Sequence, residues 1–197
     1  VRGCRGGILL ARPEDEIIKA QASKTLWRNF QGYTTHKDCD IYAFGASSIS
    51  QTPDCYMQNE KNLKKYQELI GKGGLAVERG LKLTRDDQIR RDAITRVMCD
   101  LELDKASFSA AWGIDFDRYF AEGLADLPPL VEDGLLSLEP SRIVVSELGR
   151  LFLRNIAMCF DGYLKQASGE GQPREKASYK AAISPISTPC DQPSEMM

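Results

Sequence analysis

"NFQGYTTHKDCDIYAFGASSIS", residues 29–50, is the stretch whose reading decides the fold. It runs from a polar loop rich in Gly and Thr into "DIYAFGASSIS", whose alternation predicts a strand. Ile41, Ala43, Gly45, Ser47 and Ile49 fall on one face, and Tyr42, Phe44, Ala46, Ser48 and Ser50 on the other. The first face is mostly small. A glycine inside a strand marks close approach of a ligand or of another backbone. The residues alone leave a ligand site and a crowded interior equally open. A strand here, set among helical segments, makes the chain α/β.

Working outward, "ARPEDEIIKAQASK" (11–24) predicts a helix with Pro13 at its first position. Glu14, Asp15 and Glu16 sit where the helix dipole favours acids. Downstream, "NEKNLKKYQELIGKGG" (59–74) predicts a helix capped by Asn59, with Leu63, Tyr66, Leu69 and Ile70 on its core side and Gly71 as its stop. Lys61, Lys64 and Lys65 form a solvated face, and "GKGG" lacks the rest of a phosphate-binding loop.

From residue 84 the character changes. "TRDDQIRRDAITRVMCDLELD" (84–104) opens with Thr84 and Asp87 in capping-box spacing. Ile89, Ala93, Val97, Met98 and Leu101 make an apolar stripe. Short helices follow in "KASFSAAWG" and "DFDRYFAEGLADL"; Pro128 and Pro129 interrupt, and "PLVEDG" closes at Gly134. "LLSLEPSRIVV" predicts a hairpin turning at Glu139 to Arg142. Ser146 would cap a last helix whose core stripe is Leu148, Leu151, Phe152, Asn155, Ile156, Cys159 and Phe160. Helices, a hairpin and a closing helix point to a winged-helix-like domain. The tail, 167–197, holds four of the nine prolines, and too little apolar surface to offset its ordering entropy, so disorder is expected there.

Composition narrows the function classes. The 197 residues are 42% hydrophobic and 27% charged, with a net charge of −2. A winged helix suggests DNA binding, but phosphate contacts need clustered basic residues. Lys82, Arg85, Arg90, Arg91 and Arg96 are interleaved with Asp86, Asp87, Asp92 and Asp100, so no basic stripe forms. No apolar run is long enough to span a bilayer. Cys4, Cys39, Cys55, Cys99, Cys159 and Cys190 contain no C-x-x-C pair and none adjoins His36, so metal-ligand spacing is absent and reduced cytosolic thiols are expected. There is no G-x-S-x-G elbow, and His36 has no evident Ser or Cys partner. Read from the residues alone, no complete active site is present.

Longer motifs carry a resemblance. "ARPEDE", "RNFQGYTTHKDCD", "GASSIS", "DCYMQNEKNLKKY", "RGLKLTRDDQIRRD", "DFDRYF", "LVEDGLL" and "GRLFLRNIAMCFD", in this order, resemble the C-terminal part of the oxygen-independent coproporphyrinogen III oxidases. These are radical S-adenosylmethionine (SAM) enzymes of haem biosynthesis. The resemblance runs from about Ala11 to Gln166. It implies that residues 11–75 end an incomplete radical SAM (β/α) barrel, and that 76–166 form the mostly helical winged-helix-like domain covering the active site. It implies oxidative decarboxylation of two propionates of coproporphyrinogen III to give protoporphyrinogen IX. Two SAM molecules, a [4Fe-4S] cluster and an electron donor would be required.

By resemblance, Gln31 and Ile49 contact SAM, with Gly32, Thr34 and Thr35 on the same loop. Gln31 offers an amide donor and acceptor, and the small residues before Ile49 would leave room for a cofactor. The departures are equally plain. The cluster motif C-x-x-x-C-x-x-C and the glycine-rich cofactor loop are missing, so no metal ligand is expected in this chain. Residues 1–10 do not match the family, and a truncated gene model or a piece of a longer chain is expected. Turnover by this chain alone is not. A piece cut from a barrel would expose strand edges and apolar surface. We expect a monomer in the cytoplasm, without nucleic-acid or membrane partners. Two alternatives stay open: a haem-binding radical SAM relative, and a stand-alone winged-helix interaction module.

Overall fold

The computed structural model describes residues 12–37 and 39–164. The expectations for the start, 1–10, and for the tail, 167–197, lie outside the described residues. In chain order the elements are α1 (Glu16–Ala22), β1 (Trp27–Asn29), β2 (Gly32–Thr34), β3 (Ile49–Gln51), β4 (Cys55–Asn59), α2 (Leu63–Gly71), β5 (Val77–Lys82), α3 (Arg85–Asp100), β6 (Glu102–Asp104), α4 (Lys105–Trp112), α5 (Phe116–Tyr119), α6 (Ala121–Ala125), α7 (Pro128–Glu132), β7 (Leu136–Leu138), β8 (Arg142–Val145), a 3₁₀ turn (Gly149–Phe152) and α8 (Leu153–Met158). The chain is therefore α/β, and among the described residues its strands close no barrel. They form two compact units: 12–37 together with 85–164, and 39–84.

In the first unit the α3 stripe does what its spacing implies. Ile89, Ala93, Val97 and Met98 are buried, and Leu101 packs at the edge of the same core. The centre of that core is aromatic. Phe108, Phe116, Phe120 and Phe160 are shut off from water, and Phe120 meets Phe160 edge-on at 5.4 Å between centroids, a favoured ring geometry. At the start of α3, Asp87 accepts from the Tyr163 hydroxyl at 2.7 Å, and Asp86 accepts from Tyr119 and from Arg90. These acids hold helices together.

Several expectations need correction here. The cap of α1 is Asp15, which accepts from the Ile17 amide at 3.0 Å, so Pro13 lies before the helix and not at its first position. The helix expected to run to Asp104 stops at Asp100. Leu101 has φ +59, and β6 then pairs with β8 to give the sheet order β6-β8-β7. Asp104 ends β6 and caps α4 by accepting from Ser107 at 2.7 Å. The β7–β8 hairpin turns at Glu139 to Arg142 as expected.

The last helix is not continuous. Ser146 does accept from the Gly149 amide at 2.9 Å, but a 3₁₀ turn follows. Gly149 lies so close to Leu135 that a Cβ there would stand 2.8 Å from the Leu135 carbonyl carbon. The tighter turn changes the helical phase. Leu153, Ile156, Ala157 and Phe160 go inward, while Leu148, Leu151, Phe152 and Asn155 are left exposed.

In the second unit β3, β4 and β5 form an antiparallel sheet in that order. β5 lies beyond residue 75, yet it is hydrogen-bonded to β4. Helix α2 is capped by Asn62, which accepts from Lys65; Asn59, expected as the cap, ends β4. The expected core side of α2 is not buried: Leu63 and Ile70 are exposed. Phe44 is 90% and Leu75 87% exposed, so this unit carries much apolar surface.

The strand expected over 40–50 is the largest correction. Only Ile49 and Ser50 belong to a strand, and Ile41 makes a single bridge to Gln51. Gly45 has φ +107 and Ser47 φ +63, so the backbone turns where the alternation suggested extension.

Candidate functional site

Gln31, Gly32, Thr34 and Thr35 belong to the hairpin of the first unit. β1 and β2 pair from Trp27–Thr34 to Asn29–Gly32, which leaves Phe30 and Gln31 at the tip. Asn29 shapes that tip by accepting from the Gln31 amide N–H at 2.8 Å. Gly32 follows with φ +132, a value a side chain would resist, and a Cβ there would meet nothing within 4 Å. The hairpin is anchored on α3: the Tyr33 hydroxyl donates to the Met98 carbonyl at 3.3 Å, and Tyr33 packs against Ala20, Leu26 and Cys99. The side-chain amide of Gln31 is exposed and makes no hydrogen bond among the described residues. Thr34 accepts from the His36 amide at 3.1 Å, and Thr35 and His36 are exposed.

Ile49 belongs to the second unit, where it opens β3 half-buried. The preceding turn, 42–48, is held in place by side chains that the sequence reading had assigned elsewhere. Asn59 donates from one amide nitrogen to the Gly45 carbonyl and the Ser48 hydroxyl, each at 3.1 Å, and to the Ala43 carbonyl at 3.5 Å. The Tyr66 hydroxyl accepts from the Gly45 amide at 3.1 Å. Ser50 accepts from the Ala43 amide at 3.0 Å. The small residues thus serve a tight turn stitched by side chains, and the turn delivers Ile49 to the sheet.

Register adds two residues that the sequence did not single out. Ile49 pairs with Gln58, and Gln58 with Arg79, so the three side chains share one face in a single row. Gln58 donates to the Ser47 carbonyl at 3.0 Å. Its oxygen accepts from Arg79 Nε at 3.0 Å and Nη2 at 2.7 Å. Arg79 is half-buried and has no carboxylate partner among the described residues.

Four of the six cysteines lie among the described residues. Cys39 is exposed, and Cys55, Cys99 and Cys159 are buried. Burial, then the charge of Asp100, push the Cys99 thiol up to about 12, so it stays protonated. Among the described residues no group of three His, Cys, Asp or Glu side chains could hold a metal ion. No helix among them is long and apolar enough to cross a membrane.

Comparison with known proteins supports the resemblance drawn from the motifs. The family model described as "HemN C-terminal domain" matches residues 83–152. The chain is 49% identical over 156 residues to an Escherichia coli protein named oxygen-independent coproporphyrinogen III oxidase, covering 79% of this chain and 34% of that protein. Proteins of the same name from Pseudomonas aeruginosa and Thermostichus vulcanus are 45% identical over 154 residues (78% of this chain, 34% of theirs) and 44% identical over 160 residues (81% and 49%). A solved structure, titled as coproporphyrinogen III oxidase (HemN) from Escherichia coli, a radical SAM enzyme, superposes with a TM-score of 0.75 at 48% identity, over 78% of this chain and 35% of that one. The chain spans about a third to a half of the length of these relatives.

Proposed function

We propose that this chain supplies the C-terminal part of an oxygen-independent coproporphyrinogen III oxidase, which converts coproporphyrinogen III to protoporphyrinogen IX with SAM and an external electron donor. The observation that carries this is the extent of the identity: 156 residues at 49%, 79% of the chain, a length that reaches into both compact units.

On this reading residues 11–75 descend from the end of the barrel and 76–166 from the domain that covers it, a division by ancestry that the β4–β5 pairing crosses. The order α3, β6, α4, then the short helices α5 to α7, then β7 and β8, with the sheet order β6-β8-β7, supports reading the second part as winged-helix-like. In place of a basic stripe, α3 carries ion pairs such as Arg90–Asp86 and Arg96–Asp92, which argues against a nucleic-acid partner.

The residues present fit SAM in part. The free amide of Gln31 and the open space at Gly32 suit the polar edge of a ligand, with Thr34 and Thr35 beside them. Ile49 would offer an apolar contact from the end of its turn. The residues present do not fit the [4Fe-4S] cluster, which takes cysteine thiolates as ligands. The radical chemistry is the cofactors', so this chain's share is to bind, orient and exclude water.

Two measurements test the reading. Supplied anaerobically with SAM, reductant and coproporphyrinogen III, the chain alone should form no protoporphyrinogen IX; robust turnover would refute the division of labour. An in-frame C-x-x-x-C-x-x-C upstream of Val1 should restore activity when it is expressed with the chain. The lack of such a triad in every frame would overturn the enzyme reading and leave an interaction module.

A further inference from the structure

The row Ile49–Gln58–Arg79 carries one inference more. Arg79 stands on β5 with its charge partly withdrawn from water. A guanidinium in that position normally finds a carboxylate. Here it spends two of its five N–H donors on one neutral amide oxygen, that of Gln58. Gln58 is itself fixed at its other end, because its nitrogen donates to the Ser47 carbonyl. The guanidinium is thus aimed by a braced partner, with donors left over and no carboxylate against its charge among the described residues. It also shares a sheet face with Ile49.

We propose that Arg79 is an anion-binding residue that receives a ligand carboxylate on the Ile49 face of the β3–β4–β5 sheet. The inference rests on the reading of Ile49 as a ligand contact. Two ligands of that reading carry carboxylates: SAM through its amino-acid end, and the porphyrinogen through its propionates. Either would complete the charge, and the planar fork would hold a carboxylate through two parallel hydrogen bonds. Gln58 is the positioning residue; it fixes the guanidinium plane.

The test is nuclear magnetic resonance of the whole 197-residue chain, observing the Arg79 Nε–H and the Ile49 methyls. The probes are SAM, 5′-methylthioadenosine, which lacks the carboxylate, and coproporphyrin III, the air-stable oxidised porphyrin. A shift of the Arg79 Nε–H with SAM but not with 5′-methylthioadenosine assigns the cofactor carboxylate. A shift with coproporphyrin III assigns a propionate. In either case R79Q should weaken the responding probe about tenfold, as loss of a charge-assisted contact does. R79Q should leave 5′-methylthioadenosine unchanged, which a merely structural arginine would not. If the Ile49 methyls respond to a probe while Arg79 does not, the inference is overturned and the functional reading stands. If neither responds to any probe, both fall.

Discussion

Replacing Gly149 by alanine should be the most damaging single-methyl change in the first unit. The added Cβ would land on the Leu135 carbonyl, 2.8 Å from its carbon, and 2.9 Å from a Val145 methyl. None of these is the far end of a flexible chain that could swing away. Leu135 lies in the core, and its carbonyl accepts from the Ser146 amide at 3.0 Å. Overpacking of this kind costs about 1–3 kcal/mol. Loss of the Ser146 bond adds about 1 kcal/mol. Together they come to roughly 3 kcal/mol, a large share of the stability of a domain. For a unit of this size that lowers the midpoint of thermal unfolding by roughly 10–15 °C. The chain's two tryptophans, Trp27 and Trp112, both lie in this unit, so intrinsic fluorescence follows its unfolding selectively. Gly134→Ala is the control. Gly134 has φ +70 with nothing within 4 Å of the added carbon, so only backbone strain is paid, about 1 kcal/mol. A shift below about 3 °C for Gly149→Ala, or an equal shift for both variants, would refute the reasoning, since the steric term is what separates them.

Two further outcomes follow from the second unit and from the end of α3. Asn59→Ala removes the donor that ties Ala43, Gly45 and Ser48, so the Ser47 amide, bonded to the Glu60 carbonyl at 2.9 Å, should exchange its hydrogen about tenfold faster. Unchanged exchange at Ser47 would show that the turn holds without Asn59. Asp100 is raised to about 6, by burial foremost, against the opposing charges of Lys24, Arg96 and Lys37. Its folded form therefore keeps a proton that the unfolded chain has lost, and stability falls as pH rises from about 4 to about 6. Asp100→Asn should stabilise the first unit at pH 7, by at most about 1–2 kcal/mol after solvent screening, and by nothing at pH 4. A gain that is equal at both pH values in urea unfolding would contradict this origin.

What the sequence disclosed depended on how local the cause was. The α3 stripe and the turn at Glu139 to Arg142 are set by neighbours in the chain, and both were readable. Gln31 was singled out by the resemblance alone, since no local signal separates a free amide from one that braces its loop. The turn at 42–48 was not readable, because alternation over "DIYAFGASSIS" looks the same whether or not Gly45 and Ser47 take positive φ. What decides it is Asn59, more than ten residues away, which local rules take for a helix cap. The last helix misled for a similar reason: its phase is fixed by the approach of Gly149 to Leu135. Arg79 was the least visible of all. Its place beside Gln58 and Ile49 follows from cross-strand register, and no spacing in the sequence encodes that.

The hairpin at Gln31 also sets an order of events during synthesis. Its anchor, the Met98 carbonyl, lies 65 residues beyond Tyr33. At about 5–20 residues per second the ribosome needs roughly 3–13 s to make that distance. Through that interval Leu26 and Tyr33 have Ile17 and Ala20 beside them but lack Cys99 and the rest of α3, while the segment that folds into β3, β4 and β5 emerges whole and can close first. A translational pause after Lys82 would lengthen that exposure, and faster elongation through α3 would shorten it. The loop that offers its amide to a ligand is therefore made early and finished late.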